Sequence, residues 1–302
     1  MSRKPKICVV GSINMDLVTT TDKMPDQGET VMGKTFATYP GGKGANQAVA
    51  ASKLGAGVTM IGAVGDDAFG HTLLTHFENE GILIHGIKTC PNRSTGIATI
   101  ILSDHDNRII VSAGANEEVT PEWVEENKEA ILNCDLVLLQ FEIPMETIQY
   151  TTKLAHDNGI PTVINPAPFQ EFPSEILNQS TYFTPNEIEL LSMNQMAKID
   201  HVREKMIVTK GSQGVQLMDE HCQIHQIPAF DVKVEDTTGA GDTFNGAFAQ
   251  ELAQGVSIKE AAYFANAAAA LSVTMLGAQG GMPTRQEVES FLKEQEQQSK
   301  FT

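Results

Sequence analysis

Apolar residues in this chain fall into short β-rich runs, separated by longer stretches in which they recur with helical spacing. The runs Lys6–Val10, Val58–Ala63, Leu136–Gln140, Thr162–Asn165, Tyr182–Thr184 and Met206–Thr209 predict strands. Between them the spacing predicts helices over Gly44–Leu54, Phe69–Glu80 and Thr147–Asn158. Each is followed by a glycine (Gly55, Gly81, Gly159), the residue that most easily takes the left-handed conformation closing a helix. Strands alternating with helices require crossover connections. The pattern therefore predicts an α/β fold of three layers, a mostly parallel sheet flanked by helices.

Two regions break this rhythm. Gly96–Leu102 and Arg108–Ser112 flank the turn-like Ser103–Asn107 and read as a hairpin, and Asp16–Tyr39 holds strand-like pieces with no helix between them. Together they predict a small antiparallel β sheet built from about residues 14–40 and 95–113. A second hairpin is expected from Gly214–Met218 and Cys222–Ile227, and the longest helical run from Lys259–Met275. No repeat or linker divides residues 1–302, so a single α/β domain carrying the small sheet is expected.

Composition narrows the partners. With 41% hydrophobic and 20% charged residues, the chain can bury an ordinary globular core. A net charge of −17 repels phosphodiester backbones and anionic lipid, so neither nucleic acid nor membrane is an expected partner. The same charge repels ATP, so a nucleotide site here has to create its own positive field. Cys8, Cys90, Cys134 and Cys222 stand far apart with no metal-site spacing, and read as reduced thiols, with Cys8 and Cys134 in the core. The start, MSRKPKICVV, lacks the apolar stretch of a signal peptide, and no run approaches the ~18 apolar residues of a membrane span. A cytoplasmic protein is expected.

Two glycine clusters carry the candidate chemistry. In Asp236-Thr237-Thr238-Gly239-Ala240-Gly241-Asp242 the small residues lead into an amphipathic run, which places exposed amides at a helix start. Taken alone, Asp242 there is an ordinary first-turn acid. The second cluster, Gly41-Gly42-Lys43-Gly44-Ala45-Asn46, opens the Gly44–Leu54 helix. Three glycines in four residues are costly in backbone entropy unless something must approach the main chain closely. The G-x-x-x-x-G-K-T match at Gly28–Thr35 falls within the strand-like Asp16–Tyr39 stretch, which holds no helix, whereas a P-loop opens a helix at its Lys-Thr; a P-loop is therefore not expected. No G-x-G-x-x-G follows a strand, which sets a nicotinamide oxidoreductase aside.

The two clusters resemble the signature motifs of the ribokinase family, the PfkB carbohydrate kinases, and the resemblance runs from Gly11 to Pro283. Gly11-Ser12-Ile13-Asn14-Met15-Asp16, Gly114-Ala115-Asn116, Asn165-Pro166-Ala167-Pro168 and Gly277-Ala278-Gln279 support it. It implies transfer of the γ-phosphate of ATP to O5 of D-ribose, giving ribose 5-phosphate and ADP. The alternatives are another acceptor of the same family (deoxyribose, fructose, adenosine) or, with the catalytic residues lost, a sugar sensor; here both clusters are intact. The resemblance places the sugar against Asn14, Asp16, Gly42, Lys43, Asn46, Glu142 and Asp242, with Asp242 as base and Gly239, Ala240 and Gly241 as an anion hole. ATP falls to Asn186, Glu189, Thr209, Gly211, Gly241 and Asn266, with Mg²⁺ accompanying the nucleotide. An activating K⁺ is implied at Asp236, Thr238, Ser272, Gly277 and Gly281. The small sheet is expected to close as a lid over the sugar and to pair two copies into a homodimer. The chain departs from the family in a short Leu190–Lys205 segment, within which Asp200–Lys205 is expected to be the helical part.

Overall fold

A computed structural model of the protein describes residues 3–103, 106–196, 199–218 and 223–298. Residues 104–105, within the expected hairpin turn, and Cys222 lie outside the described residues. The main sheet is formed by β1 (Lys6–Val10), β4 (Gly57–Gly65), β5 (Leu83–Cys90), β8 (Leu136–Gln140), β9 (Thr162–Asn165) and β10 (Tyr182–Phe183). Its order is β10-β9-β8-β1-β4-β5, and every pair is parallel. The helices are α1 (Lys43–Lys53), α2 (Ala68–Asn79), α3 (Pro121–Glu126), α4 (Lys128–Leu132), α5 (Met145–Asp157), α6 (Ser174–Gln179), α7 (Glu187–Met196), α8 (Ala240–Ala253), α9 (Ile258–Ser272) and α10 (Arg285–Gln298).

The central strands read as continuous apolar runs because helices cover both of their faces. Alternation along each strand sorts the side chains. Ile7, Val9, Leu136 and Leu138 join the core on one face, and Cys8, Val10, Val137 and Leu139 join the core on the other. The expected Gly55, Gly81 and Gly159 terminators all have positive φ, at 103°, 70° and 68°. Strand β5 has no counterpart in the sequence reading. It is an edge strand, and its mixed exposure, with His85 and Lys88 on it, leaves no apolar run to detect.

The early insertion forms a four-stranded sheet ordered β3-β2-β6-β7, from β2 (Asn14–Thr21), β3 (Gly33–Gly41), β6 (Gly96–Ser103) and β7 (Asp106–Ser112). Its outer pairs are antiparallel and its central pair, β2 with β6, is parallel. A three-stranded antiparallel sheet, β11 (Ile207–Thr209), β12 (Val215–Met218) and β13 (Ile224–Ile227), continues the main sheet beyond β10 through parallel bridges Phe183–Met206 and Asn186–Thr209.

The segment after Glu189 differs from expectation. The α-helix occupies Glu187–Met196, while Ile199–Lys205 is a 3₁₀ helix broken at Val202. The cause is local. The Asn186 side chain accepts from the Glu189 amide at 2.8 Å and the Glu189 carboxylate accepts from the Asn186 amide at 2.9 Å, a reciprocal cap that starts the helix at residue 187.

Candidate active site

The segments singled out in the sequence converge because they follow the carboxyl ends of neighbouring parallel strands. Gly11–Ile13 follows β1, Glu142 follows β8, Asn165 ends β9, and Thr184–Asn186 follows β10. Ligand sites of open α/β sheets form along this edge. Helices α1 and α8 then close on one another. A Cβ on Gly246 would lie 2.6 Å from the Ala50 Cβ and 2.7 Å from the Gln47 carbonyl oxygen, so only glycine lets the two helices pack this tightly. One turn earlier on α8 sits Asp242, buried at 7% exposure. Its carboxylate accepts from the Asn46 side-chain amide at 2.9 Å and from that of Gln47 at 3.0 Å.

The glycine cluster before α1 serves the chain's own packing as much as any ligand. A Cβ on Gly41 would fall 2.2–2.4 Å from the Asp16 carboxylate atoms, and one on Gly44 would fall 2.6–2.8 Å from the backbone of Ser12 and Gly11. Gly42, which caps α1, has φ 88°, a conformation side chains avoid. The Glu142 carboxylate accepts from the Ser12 hydroxyl at 2.5 Å and from the Lys43 amide at 3.0 Å. Asn14 is buried beside Asn116, whose side-chain NH₂ donates to Asn14 Oδ1 at 2.8 Å and leaves the Asn14 NH₂ as that side chain's free end.

Charge is concentrated here. Burial pushes the Asp16 carboxyl up, and the nearby Glu142 and Asp242 carboxylates push it further, to about 7. Burial alone would lower the Lys43 pKa, but Asp242, Glu142 and Glu189 outweigh it and hold the ammonium charged. Asp16 thus titrates near neutrality in the free protein. If sugar hydroxyls donate to its ionised form, a proton competes with the sugar. The dissociation constant for the sugar should then be flat above pH 8 and rise as pH falls through 7, toward a limit of about tenfold per unit. Calorimetric titration from pH 5.5 to 8.5 reads this, and Asp16→Asn should bind weakly with no such slope.

At the start of α8, Gly239 takes φ 78°, and a Cβ there would meet the Ala278 carbonyl oxygen at 2.6 Å. Around Gly241 a Cβ would meet nothing within 4 Å, so packing does not demand glycine there. The amides of Gly239, Gly241 and Asp242 have no acceptor among the described residues, whereas the Ala240 amide makes a long 3.3 Å bond to the Thr237 carbonyl. Gly239, Gly241 and Asp242 line a cavity of about 150 Å³ together with Lys43, Asn186, Glu189 and Thr209. Asn165, Ala167, Thr184 and Asn245 line it too, and sequence reasoning assigned them no role. Gln47 was missed as well, since nothing in its neighbourhood marks it as other than a helix residue. Gly211 and Asn266 are not on this wall; Asn266, on α9, donates to the Pro228 carbonyl at 2.8 Å.

Two of the implied ion sites can be tested against their residues. Both Glu189 oxygens accept from Asn186, and burial holds its pKa raised in spite of the Asn186 amide and Lys43. Its remaining lone pairs suit water around a hydrated Mg²⁺, which keeps much of its own shell. Asp236 accepts from the Thr238 and Gly277 amides, each at 2.9 Å. Burial pushes its pKa up, but hydrogen bonds from Thr238 and Gly277 outweigh this and hold it low. A Cβ on Gly281 would lie 2.1 Å from the Ser272 carbonyl oxygen, so the two backbone segments lie close together there. One carboxylate among main-chain oxygens fits a hard monovalent cation. Among the described residues no cluster of three His, Cys, Asp or Glu stands ready for a metal.

Free amides at a helix start, set against a buried carboxylate at the carboxyl edge of a parallel sheet, define a phosphotransferase acting on a small polyhydroxylated acceptor. The chain belongs to the pfkB family of carbohydrate kinases, whose model matches residues 4–285. It is 47% identical over 290 residues to the ribokinase of Bacillus subtilis, which covers 95% of this chain and 99% of the relative. The ribokinase of Lactococcus lactis is also 47% identical, over 296 residues covering 96% of this chain and 98% of its own. Among solved structures, Arabidopsis thaliana ribokinase complexed with ribose and ATP superposes with a TM-score of 0.89 at 32% identity, covering 96% of this chain and 99% of that one. No helix among the described residues is long and apolar enough to cross a membrane.

Proposed function

We propose that the protein transfers the γ-phosphate of ATP to O5 of D-ribose, giving ribose 5-phosphate and ADP. The observation that carries this reading is the Asp242 carboxylate, anchored by Asn46 and Gln47 beside the free amides of the α8 start. Asp242 takes the proton from the 5-hydroxyl as that oxygen attacks phosphorus. The amides of Gly239 and Gly241 receive the charge developing on the transferring group, aided by the helix dipole, and the long Ala240 bond yields to join them. Asp16 and Glu142 accept from sugar hydroxyls, while Asn14, Lys43 and Asn46 donate and the Gly42 backbone lies against the ring. Discrimination among hydroxyls needs such buried directional groups rather than an apolar pocket.

On the nucleotide side, Asn186, Glu189, Thr209 and Gly211 hold ATP along the β10–β11 edge, and Asn266 reaches it from α9, beside Pro228. Mg²⁺, ordered through Glu189 and water, would neutralise the phosphates when bound. K⁺ at Asp236, Thr238, Ser272, Gly277 and Gly281 would brace the loop that carries the anion hole. The four-stranded sheet serves as a lid, excluding water that would compete as phosphate acceptor. Phe36 and Ile110 on one face of this sheet, and Ile109 and Val111 on the other, are exposed apolar residues, and such surface suits pairing of two copies into a homodimer. The catalytic work is done on one α/β domain in the cytoplasm.

The test is ADP release with Mg·ATP and K⁺, comparing D-ribose, 2-deoxyribose, fructose and adenosine. Ribose should be turned over at least about tenfold faster in kcat/KM than the rest, because a site built to bond a hydroxyl leaves buried groups unpaired when that hydroxyl is missing. A preference for 2-deoxyribose would move the specificity and keep the mechanism. No turnover of any of the four would overturn the proposal.

A further inference from the structure

Behind Asp242 runs a line of side chains that ends near the surface on α2. Asn46 donates to Asp242 at 2.9 Å, and its own oxygen accepts from the Gln279 side-chain NH₂ at 2.8 Å. The Gln279 oxygen in turn lies 2.7 Å from Nε2 of His76. Asn46 and Gln279 are buried, and His76 is half-buried in the last turn of α2.

Chemistry fixes the direction of this line. An ionised carboxylate can only accept, so Asn46 must turn its NH₂ toward Asp242 and its oxygen outward. Gln279 must then turn its NH₂ toward Asn46 and its oxygen toward His76, which has to supply the hydrogen on Nε2. Reversing any one amide would set two acceptors or two donors face to face, and a buried mismatch of that kind is costly. Gln47 makes a second arm of the same polarity: it donates to Asp242 at 3.0 Å and accepts from Gln140 at 2.7 Å.

We propose that Gln279 and His76 are positioning residues for the phosphoryl transfer, and that they hold Asn46 in the one orientation that aims and stabilises the ionised Asp242. The proposal rests on Asp242 acting as base. Its sequence signature is slight, since Gln279 closes a short motif near the C-terminus and His76 stands alone on a helix.

The test uses His76→Glu, His76→Gln and Gln279→Glu in the full chain, with Asp242→Ala as reference. An acceptor in place of the His76 donor favours the reversed chain, as does a carboxylate at 279. Each should lower kcat about tenfold and move the acid limb of the kcat–pH profile upward by about one unit, the worth of one hydrogen bond to a charged group. The sign follows because a carboxylate that loses a donor holds its proton more tightly. Lys43 and Asp16, both charged groups that Asp242 acts on, are the same in every variant. His76→Gln retains an N–H donor and should stay within about twofold of the parent. His76 lies outside the Gly277–Gly281 turn, so its variants read the chain even if Gln279→Glu fails to fold. A wild-type kcat and limb in His76→Glu would overturn the inference. So would a fall in kcat with an unmoved limb, or a His76→Gln as impaired as His76→Glu. Normal turnover in Asp242→Ala would instead overturn the base assignment itself.

Discussion

Asp242→Ala should lower kcat by about 10²–10⁴-fold while sugar affinity falls by less than about tenfold. The asymmetry comes from what the carboxylate does in each state. In the proposed ground state it offers the sugar one hydrogen bond among several supplied by Asn14, Asp16, Lys43, Asn46 and Glu142. In the proposed transition state it receives the proton whose departure makes O5 a nucleophile, and it is anchored by Asn46 and Gln47 beside the free amides of residues 239 and 241. Single-turnover phosphate transfer and calorimetric sugar binding, measured on the same preparation, separate the two. The substitution leaves the Asn46 and Gln47 NH₂ groups without their acceptor, so a thermal melt should accompany the kinetics. Turnover near the parent rate in a folded variant would remove Asp242 from the role of base.

The second large effect is expected from two alanines three residues apart that should fail in different ways. Gly41→Ala places a methyl group where the Asp16 carboxylate now sits, at 2.2–2.4 Å. A side chain can swing away, so the fold should survive with its melting temperature nearly unchanged. The sugar would then lose its Asp16 contact, and kcat/KM should drop about tenfold or more. Gly44→Ala meets backbone instead, at 2.6–2.8 Å from Ser12 and Gly11. The start of α1 must then back away from the end of β1, an overpacking cost of about 1–3 kcal/mol that should appear as a melting temperature lower by several degrees. If Gly41→Ala melts early and Gly44→Ala does not, the division of labour within the cluster is wrong.

Much of the architecture was legible along the chain. Strands β1, β8 and β9 match the expected boundaries to the residue, because a strand covered on both faces leaves an unbroken apolar run bounded by polar residues. The edge strand β5 left no such run. Helix α7 was misplaced because its start is set by the reciprocal Asn186–Glu189 cap. Asn186 and Glu189 had been read for a ligand role, whereas Asp200–Lys205 looked helical from its residues.

The site divides along the same line. The two glycine clusters and the acid at the start of α8 are legible in the chain because they depend on residue type and local spacing. That Gly41 clears room for Asp16, that Gly246 lets α1 reach α8, and that Asn46, Gln47, Gln279 and His76 line up behind one carboxylate emerges only from packing. The difference is one of range. Backbone conformation and hydrophobic period are written within a few residues. A hydrogen bond between Asn46 and Gln279 joins groups 233 positions apart, and it exists only once the strands and helices between them have packed.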